Sequence, residues 1–516
     1  MTWNSWTTIA TRTLAGLVAV GLAVTGAAPV RAGASSGAGD LTTYQRQRLD
    51  WHACQRDPAD QAGAELDRAG AACTELTVPL NYARPDGRTI TVALSRLPAT
   101  DTARRVGVLL LNTGGPGAPG MSDVLPVRQW MGDVGARFDL IGMDPRFVGR
   151  STPLDCGWPS GIWTHSAGSD RAGFDRLTAF ERDLAARCAR RHAELLPYVT
   201  TRNTARDMDL IRAVLGEPKL SYLGYSYGTY LGAVYTQLFP HRADRIVLDS
   251  AVDPARYGGR LLREAGPANE AALRDWADWV ARHHDPYGLG STGTRVLAAV
   301  DGIRAAASRR PLRVGDYRVD AQLLPFLLFN RLSDDRDETH ADLAETVRAL
   351  QRAATSGWAA PTASLAETLA FALSGAQSAY GSVQAAIVCG DVSVTQDPER
   401  YWRDIQAHRA SEPRFGELTR AISPCAFWPE PPRERPTTVR NAVPALIVQS
   451  TGDTRTLYQD GQALHRALTG SRLLTLHDAR IHAVYGNYAN VCVDRAVNSY
   501  LADGVLPATD LGCARS

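Results

Sequence analysis

The sequence predicts an α/β fold: a mostly parallel sheet flanked by helices, with a helical cap inserted after the middle strands. Three observations predict it. Apolar runs of strand length alternate with helical periodicities over residues 40–253, the stretch 254–435 reads as mostly helical, and strand-like runs resume over 436–516. A chain of 516 residues has room for two such units, a core and a cap.

In chain order, residues 1–34 come first. Arg12 precedes an apolar stretch, 14–24, and small residues follow up to Val30-Arg31-Ala32 or Ala32-Gly33-Ala34, the pattern of a secretory signal peptide. The apolar stretch is shorter than the roughly 20 residues that span a bilayer, so export is expected rather than stable membrane insertion. Arg12 and Arg31 are the only charges before Asp40, and their removal turns 56 basic and 54 acidic residues into 54 of each. A neutral chain lacks the electrostatic footprint of a nucleic-acid binder and points to a small or peptidic partner. The eight cysteines, 54, 73, 156, 188, 389, 425, 492 and 513, form no C-x-x-C and no Cys/His cluster. In an exported chain they read as disulfides rather than metal ligands, and short loops favour sequential closure: 54 with 73, 156 with 188, 389 with 425 and 492 with 513.

Strands are expected at 89–94, 106–111, 138–143, 220–223 and 245–248, with helices at 174–195 and 204–215 between the later ones, as in βαβ units. The cap is expected to carry helices at 267–283, 294–307 and 341–354, and the proline-rich stretch 424–436 reads as a linker back to strands at 445–449 and 472–476. Open α/β sheets bind ligands at the carboxyl ends of their strands, where such a cap would sit.

The chemistry centres on Gly224-Tyr225-Ser226-Tyr227-Gly228, which joins the apolar run 220–223 to a helical stretch, 229–239. G-x-S-x-G alone is a weak signal; placed between strand and helix it becomes a nucleophile elbow, with the serine hydroxyl lifted clear of the sheet edge. A serine needs a histidine base and a carboxylate to orient that base, and on this fold, the α/β-hydrolase fold, the chain order is serine, acid, histidine. Asp453 follows the strand 445–449 and His482 follows 472–476, so these three are the expected triad. Asp460 and Asp478 compete for the acid and His477 for the base; Asp460 reads as a turn, Asp478 lies too near the histidine loop, and His477 ends the strand. The oxyanion needs two backbone N–H donors: Tyr227, after the nucleophile, and Gly115, in the loop Asn112-Thr113-Gly114-Gly115-Pro116-Gly117. No Walker lysine accompanies that loop, which argues against phosphate binding. The chemistry calls for no metal and no organic cofactor.

The run 112–117, the segment Asp144-Pro145-Arg146-Phe147-Val148-Gly149-Arg150-Ser151-Thr152-Pro153, the stretch from Thr204-Ala205-Arg206-Asp207 to Arg212, and Ser226 in Gly-Tyr-Ser-Tyr-Gly-Thr-Tyr-Leu-Gly together resemble secreted bacterial tripeptidyl aminopeptidases. These are α/β-hydrolase serine peptidases related to proline iminopeptidases. The resemblance continues through Ala386-Ile387-Val388-Cys389-Gly390-Asp391 and implies an exopeptidase acting on free amino termini of peptides. The chain departs from that pattern at Phe147, Ile481 and Ala483, where glycines are usual, and at Thr454-Arg455-Thr456, which replaces a proline-containing turn. A peptide amino terminus is a cation, so carboxylates near the cap face are expected: Glu264 before the first cap helix and Glu270, Asp275 and Asp278 on it, with Trp276 and Trp279 as apolar walls. The alternative is a solvated acidic helix face with the tryptophans packed inward.

Overall fold

Continuous apolar runs form strands in this chain because both faces of the sheet are covered. The computed structural model describes residues 40–515, and the signal segment assigned to 1–34 lies outside them. The strands are β1 (Ala72–Pro79), β2 (Thr89–Leu97), β3 (Gly107–Asn112), β4 (Phe138–Asp144), β5 (Leu220–Tyr225), β6 (Ala243–Asp249), β7 (Leu312–Val314), β8 (Tyr317–Val319), β9 (Ala445–Ser450), β10 (Arg472–Leu476) and β11 (Leu511–Cys513). Every residue of β3, β4, β5 and β9 is buried. Successive side chains enter opposite layers: Val108 and Leu110 join one apolar cluster, Leu109 and Leu111 the other.

Nine strands form one sheet in the order β1-β2-β4-β3-β5-β6-β9-β10-β11, and β7 with β8 makes a separate hairpin. β2 runs antiparallel to β1 and β4; the other pairings in the large sheet are parallel. The chain crosses from β4 to β5 on the far side of β3, so the carboxyl ends of β3 and β5 flank a topological switch point. Their register pairs Asn112 with Gly224, which brings the 112–117 loop beside the Ser226 turn. The expected strands are all present. β1 and β11 were not foreseen: β1 alternates, exposing Glu75 and Thr77 while burying Leu76 and Val78, and β11 is three residues on the sheet edge.

Helices Gly259–Arg282, Gly293–Arg309 and Asp337–Ser356 pack with the hairpin around a third apolar cluster that includes Trp276, Leu328, Leu343 and Leu350. The first of them starts at Gly259 rather than near 267, with Pro267 inside it. A proline there removes one helical N–H, and the buried face formed by Ala272, Leu273, Trp276 and Val280 holds the helix together around it. The stretch 254–435 does not pack as one body. Helix Ser378–Asp391 gives Val383, Ala386, Ile387 and Cys389 to the sheet's own cluster. The proline-rich segment is a strap rather than a free linker, since Glu434 pairs with both Arg202 and Arg206 of helix Thr201–Val214. The four disulfides close sequentially, Cys54–Cys73, Cys156–Cys188, Cys389–Cys425 and Cys492–Cys513.

Two sequence segments 61 residues apart meet inside this core. Arg146 and Asp207 form a bidentate pair at 2.7 and 2.6 Å, both side chains fully buried, with Tyr82 donating to the same carboxylate at 2.7 Å. Removing one partner leaves a buried charge without compensation, at about 3–5 kcal/mol. Asp207→Ala is therefore expected to lower the urea midpoint sharply or abolish soluble expression, and an unchanged midpoint would refute that weight.

Candidate active site

Strand β5 ends at Tyr225 and helix Tyr227–Leu238 begins two residues later, leaving Ser226 alone at the apex with φ 55° and ψ −124°. Ser226 is only partly covered, whereas its neighbours on both sides are buried. Its amide donates to the Asp249 carbonyl at 2.9 Å, and its own carbonyl accepts from Thr229 N and Oγ1. The turn is so tight that a Cβ on Gly114 (φ 100°) would lie 2.6 Å from the Tyr225 carbonyl and 3.1 Å from the Tyr227 amide. The loop after β3 therefore lies directly against the elbow. Among the described residues the amides of Gly115 and Tyr227 have no protein acceptor, which leaves both N–H groups available at this edge. Tyr380 and Gln384, on helix Ser378–Asp391, line the other side of the loop: a Cβ on Gly115 would sit 3.4 Å from the Tyr380 hydroxyl, and one on Gly117 3.2 Å from the Gln384 amide.

Asp453 and His482 arrive from the ends of β9 and β10. His482 Nδ1 lies 2.8 Å from Asp453 Oδ2, with the ring 19% exposed and the carboxylate fully buried. Asp453 Oδ1 accepts the amides of Arg455 (2.7 Å) and Thr456 (3.1 Å), and Oδ2 accepts the Thr456 hydroxyl at 2.9 Å. Burial pushes the Asp453 carboxyl up; the His482 ring, the Arg455 amide and the Thr456 hydroxyl pull it down further, so it ends below the ordinary carboxylate range. The rival residues are occupied otherwise. Asp460 accepts the Leu457 amide at the start of helix Tyr458–Ala467, Asp478 is an exposed turn residue with φ 56°, and the amide of exposed His477 extends the pairing to Cys513 on β11.

The helical segment grips both loops. Its residues 329–335 present a row of acceptors: the Phe329 carbonyl to Arg455, the Leu332 carbonyl to Thr454 Oγ1, and the Ser333 carbonyl to the His482 amide. Asp334 bridges to Ile481, and the Asp335 amide donates to the Arg480 carbonyl while its carboxylate accepts the Arg480 amide. Arg455 stacks 3.6 Å from the Phe329 ring centroid and donates to Asn269. No carboxylate pairs with it, and burial pulls its pKa down to about 9. Thr456, Arg455, Gln384 and Tyr380 were not foreseen from sequence; the departure of Thr454-Arg455-Thr456 from the family turn was the one available signal for the first two.

The structure does not bring the four expected cap carboxylates together. Glu270 is buried and accepts the amides of Arg414 and Phe415 inside the helical segment. Asp275 pairs with Arg480, Glu264 with Arg256, and Asp278 fills the space where a Cβ on Gly293 would lie. Trp276 is fully buried and donates to the His340 carbonyl, so it packs inward; Trp279 donates to Asp337. Where glycine is usual, Phe147 and Ala483 adopt φ 71° and 65°, left-handed values that explain the family preference. Among the described residues no group of three or more His, Cys, Asp or Glu is placed to hold a metal ion.

An elbow serine beside free amides, and a histidine seated on a buried carboxylate across the same sheet edge, define a serine hydrolase of the α/β-hydrolase fold. The chain belongs to the tripeptidyl aminopeptidase family. It is 35% identical over 486 residues to the tripeptidyl aminopeptidase of Streptomyces lividans, covering 91% of this chain and 87% of that protein. It is 32% identical to the serine protease Hip1 of Mycobacterium tuberculosis H37Rv, covering 86% and 87%, and 31% identical to that organism's carboxylesterase B, covering 95% of each. The family model described as TAP-like protein matches residues 413–513.

Behind the elbow, Asp391 accepts the Thr201 amide at 2.8 Å, and the Thr201 hydroxyl bridges it to the Tyr227 hydroxyl. Burial pushes Asp391 up to about 7 against the pull of Thr201. A carboxyl that keeps its proton when folded and loses it near 4 when unfolded gives stability at low pH that fades as pH rises toward 7. Asp391→Asn keeps the shape and cannot ionise, so its Tm is expected to gain on the wild-type Tm between pH 5 and 7. A difference in Tm that stays constant over this range would contradict the assignment.

Proposed function

We propose that this chain is an exported serine exopeptidase that releases short peptides, tripeptides foremost, from free amino termini. Ser226 attacks the peptide carbonyl, and His482 takes the serine proton through Nε2 and returns it to the leaving amine. Asp453 holds the Nδ1 proton and stabilises the imidazolium, while the amides of Gly115 and Tyr227 receive the oxyanion. Water then repeats the sequence on the acyl-enzyme. The observation that carries this reading is the 2.8 Å His482–Asp453 contact on the same sheet edge as the φ 55° serine, in a chain similar over 91% of its length to a tripeptidyl aminopeptidase. The part of 254–435 that packs around Trp276, Leu343 and Leu350 serves as the cap that closes one end of the cleft, so that only a chain terminus enters. Four disulfides support an oxidising, extracellular setting.

Ser226→Ala is expected to reduce kcat by about 10⁵-fold or more while leaving Tm unchanged, and Asp453→Asn by about 10⁴-fold. Full turnover by the serine variant would sink the mechanism. Mass spectrometry of products from an unblocked hexapeptide is expected to show a released tripeptide. The similarity to a carboxylesterase B favours one second reading, an esterase or amidase acting on small molecules. Peptide amides with free and acetylated amino termini separate the two: an aminopeptidase loses the acetylated set, and equal rates on both favour the esterase.

A further inference from the structure

The end of β6 holds a buried carboxylate that none of the three catalytic roles employs. Asp249 is fully buried, and its main-chain carbonyl accepts the Ser226 amide at 2.9 Å. Its carboxylate reaches in another direction, to the loop that carries the base: Oδ1 accepts the Val484 amide at 3.0 Å, and Oδ2 accepts the amides of Val484 (3.1 Å) and Tyr485 (2.7 Å). The next residue adds a further tie, since Ser250 Oγ accepts the Ala483 amide at 2.7 Å and donates to Asp249 Oδ1 at 3.1 Å. Three consecutive amides after His482 are thus bound to the last residue of β6 and the residue that follows it, the first of which also anchors the nucleophile.

Resting on the triad reading above, we propose that Asp249 is a positioning residue that sets the placement of His482 relative to Ser226. The backbone at 483–485 fixes where the imidazole is carried, and Asp249 measures that position from the strand beside the elbow. A displacement of about 1 Å at a catalytic group can cost on the order of 100-fold in rate, so a hydrogen-bonded spacer of this kind acts on kcat. The carboxylate also faces His482. The titratable groups that face Asp249 are His482, from the base loop, and Tyr225, from β5, while Asp453 faces His482 from the other side. Burial pushes Asp249 up to about 6 against the pull of the Val484 and Tyr485 amides.

The test is Asp249→Asn in the full chain, assayed on an unblocked peptide amide across pH 5–9 beside wild type and Ser226→Ala. The asparagine turns an NH₂ toward the amides of the base loop, so kcat is expected to fall about 100-fold with KM within about twofold. Asparagine cannot ionise at 249, so the part of the acid limb of kcat/KM near pH 6 that Asp249 contributes disappears and the limb moves to lower pH, a shift that a structural defect alone does not produce. Ser250→Gly suits the φ of 58° at that position, removes the Ala483 tie together with one hydrogen bond that Asp249 accepts, and keeps a carboxyl at 249. It is expected to lose about 10-fold in kcat without moving the acid limb to lower pH. An Asp249→Asn enzyme with kcat within threefold of wild type and an unmoved acid limb overturns the proposal, provided Ser226→Ala is inactive; an active Ser226→Ala overturns the triad reading instead. If Asp249→Asn does not fold, full kcat in Ser250→Gly overturns the proposal and the expected loss supports it.

Discussion

The site depends on one backbone torsion, the φ of 55° at Ser226. A helix that started directly from β5 in an ordinary extended-to-helical transition would leave the serine flat against the sheet. The left-handed apex reverses the chain within one residue and turns the hydroxyl outward. That reversal is possible only where the residues two positions away on either side lack side chains. A Cβ on Gly224 would lie 2.6 Å from the Gly228 carbonyl, and one on Gly228 2.5 Å from the Asn112 carbonyl. The same missing atoms let the loop after β3 close in, which is why the Gly115 and Tyr227 amides come to one edge without a mobile element to bring them there.

The acid and base loops are held from two sides. On the core side they grow from β9 and β10, whose register pairs Ser450 with Leu476, and Ser450 Oγ donates to the Ile481 carbonyl. From above, residues 329–335 of the helical segment receive hydrogen bonds from both loops, each worth about 1 kcal/mol net. A lid that opens freely over a cleft has no such contacts to break. The segment is part of the scaffold that places Asp453 and His482. Arg455 shows the cost of this arrangement: a guanidinium is desolvated between Phe329 and Asn269, and its charge-assisted bonds to Phe329, Asn269 and Thr454, with the nearby Asp453 charge, are what offset its burial.

Strands were legible wherever the sheet is buried on both faces, because continuous apolar runs such as Val108 to Leu111 have few other uses. β1 was not, because Glu75 and Thr77 face solvent and break the run, and β11 was not, because three residues carry no period. The meeting of Asp453 and His482 was legible from strand order and spacing. Roles inside the helical segment were not. Amphipathic helices show which face is apolar but not which carboxylate meets which partner, so Glu270 and Asp275 looked available when one caps the chain at 414–415 and the other pairs with Arg480. Asp249 escaped notice for a related reason. A single aspartate at a strand end is ordinary turn chemistry until the fold shows three amides of a distant loop aimed at its strand.

Strain in this molecule is not scattered. Five non-glycine residues among those described have positive φ: Phe147, Ser226, Ser250, Asp478 and Ala483. Three of the five, Ser226, Ser250 and Ala483, are joined into one hydrogen-bonded chain through Asp249, since Ser226 donates to its carbonyl and Ala483 donates to the adjacent Ser250 hydroxyl. Each such conformation costs about 1–3 kcal/mol and persists only where the surroundings over-determine it. The surroundings in question are the close-packed β3, β5, β6 and β9, buried along almost their whole length, so the stability of the sheet is what allows the edge to be strained. Glycine at 483 would have removed part of that cost. An alanine there keeps the strained geometry and adds stiffness, which argues that a fixed base loop, rather than a relaxed one, is what this edge is built to provide.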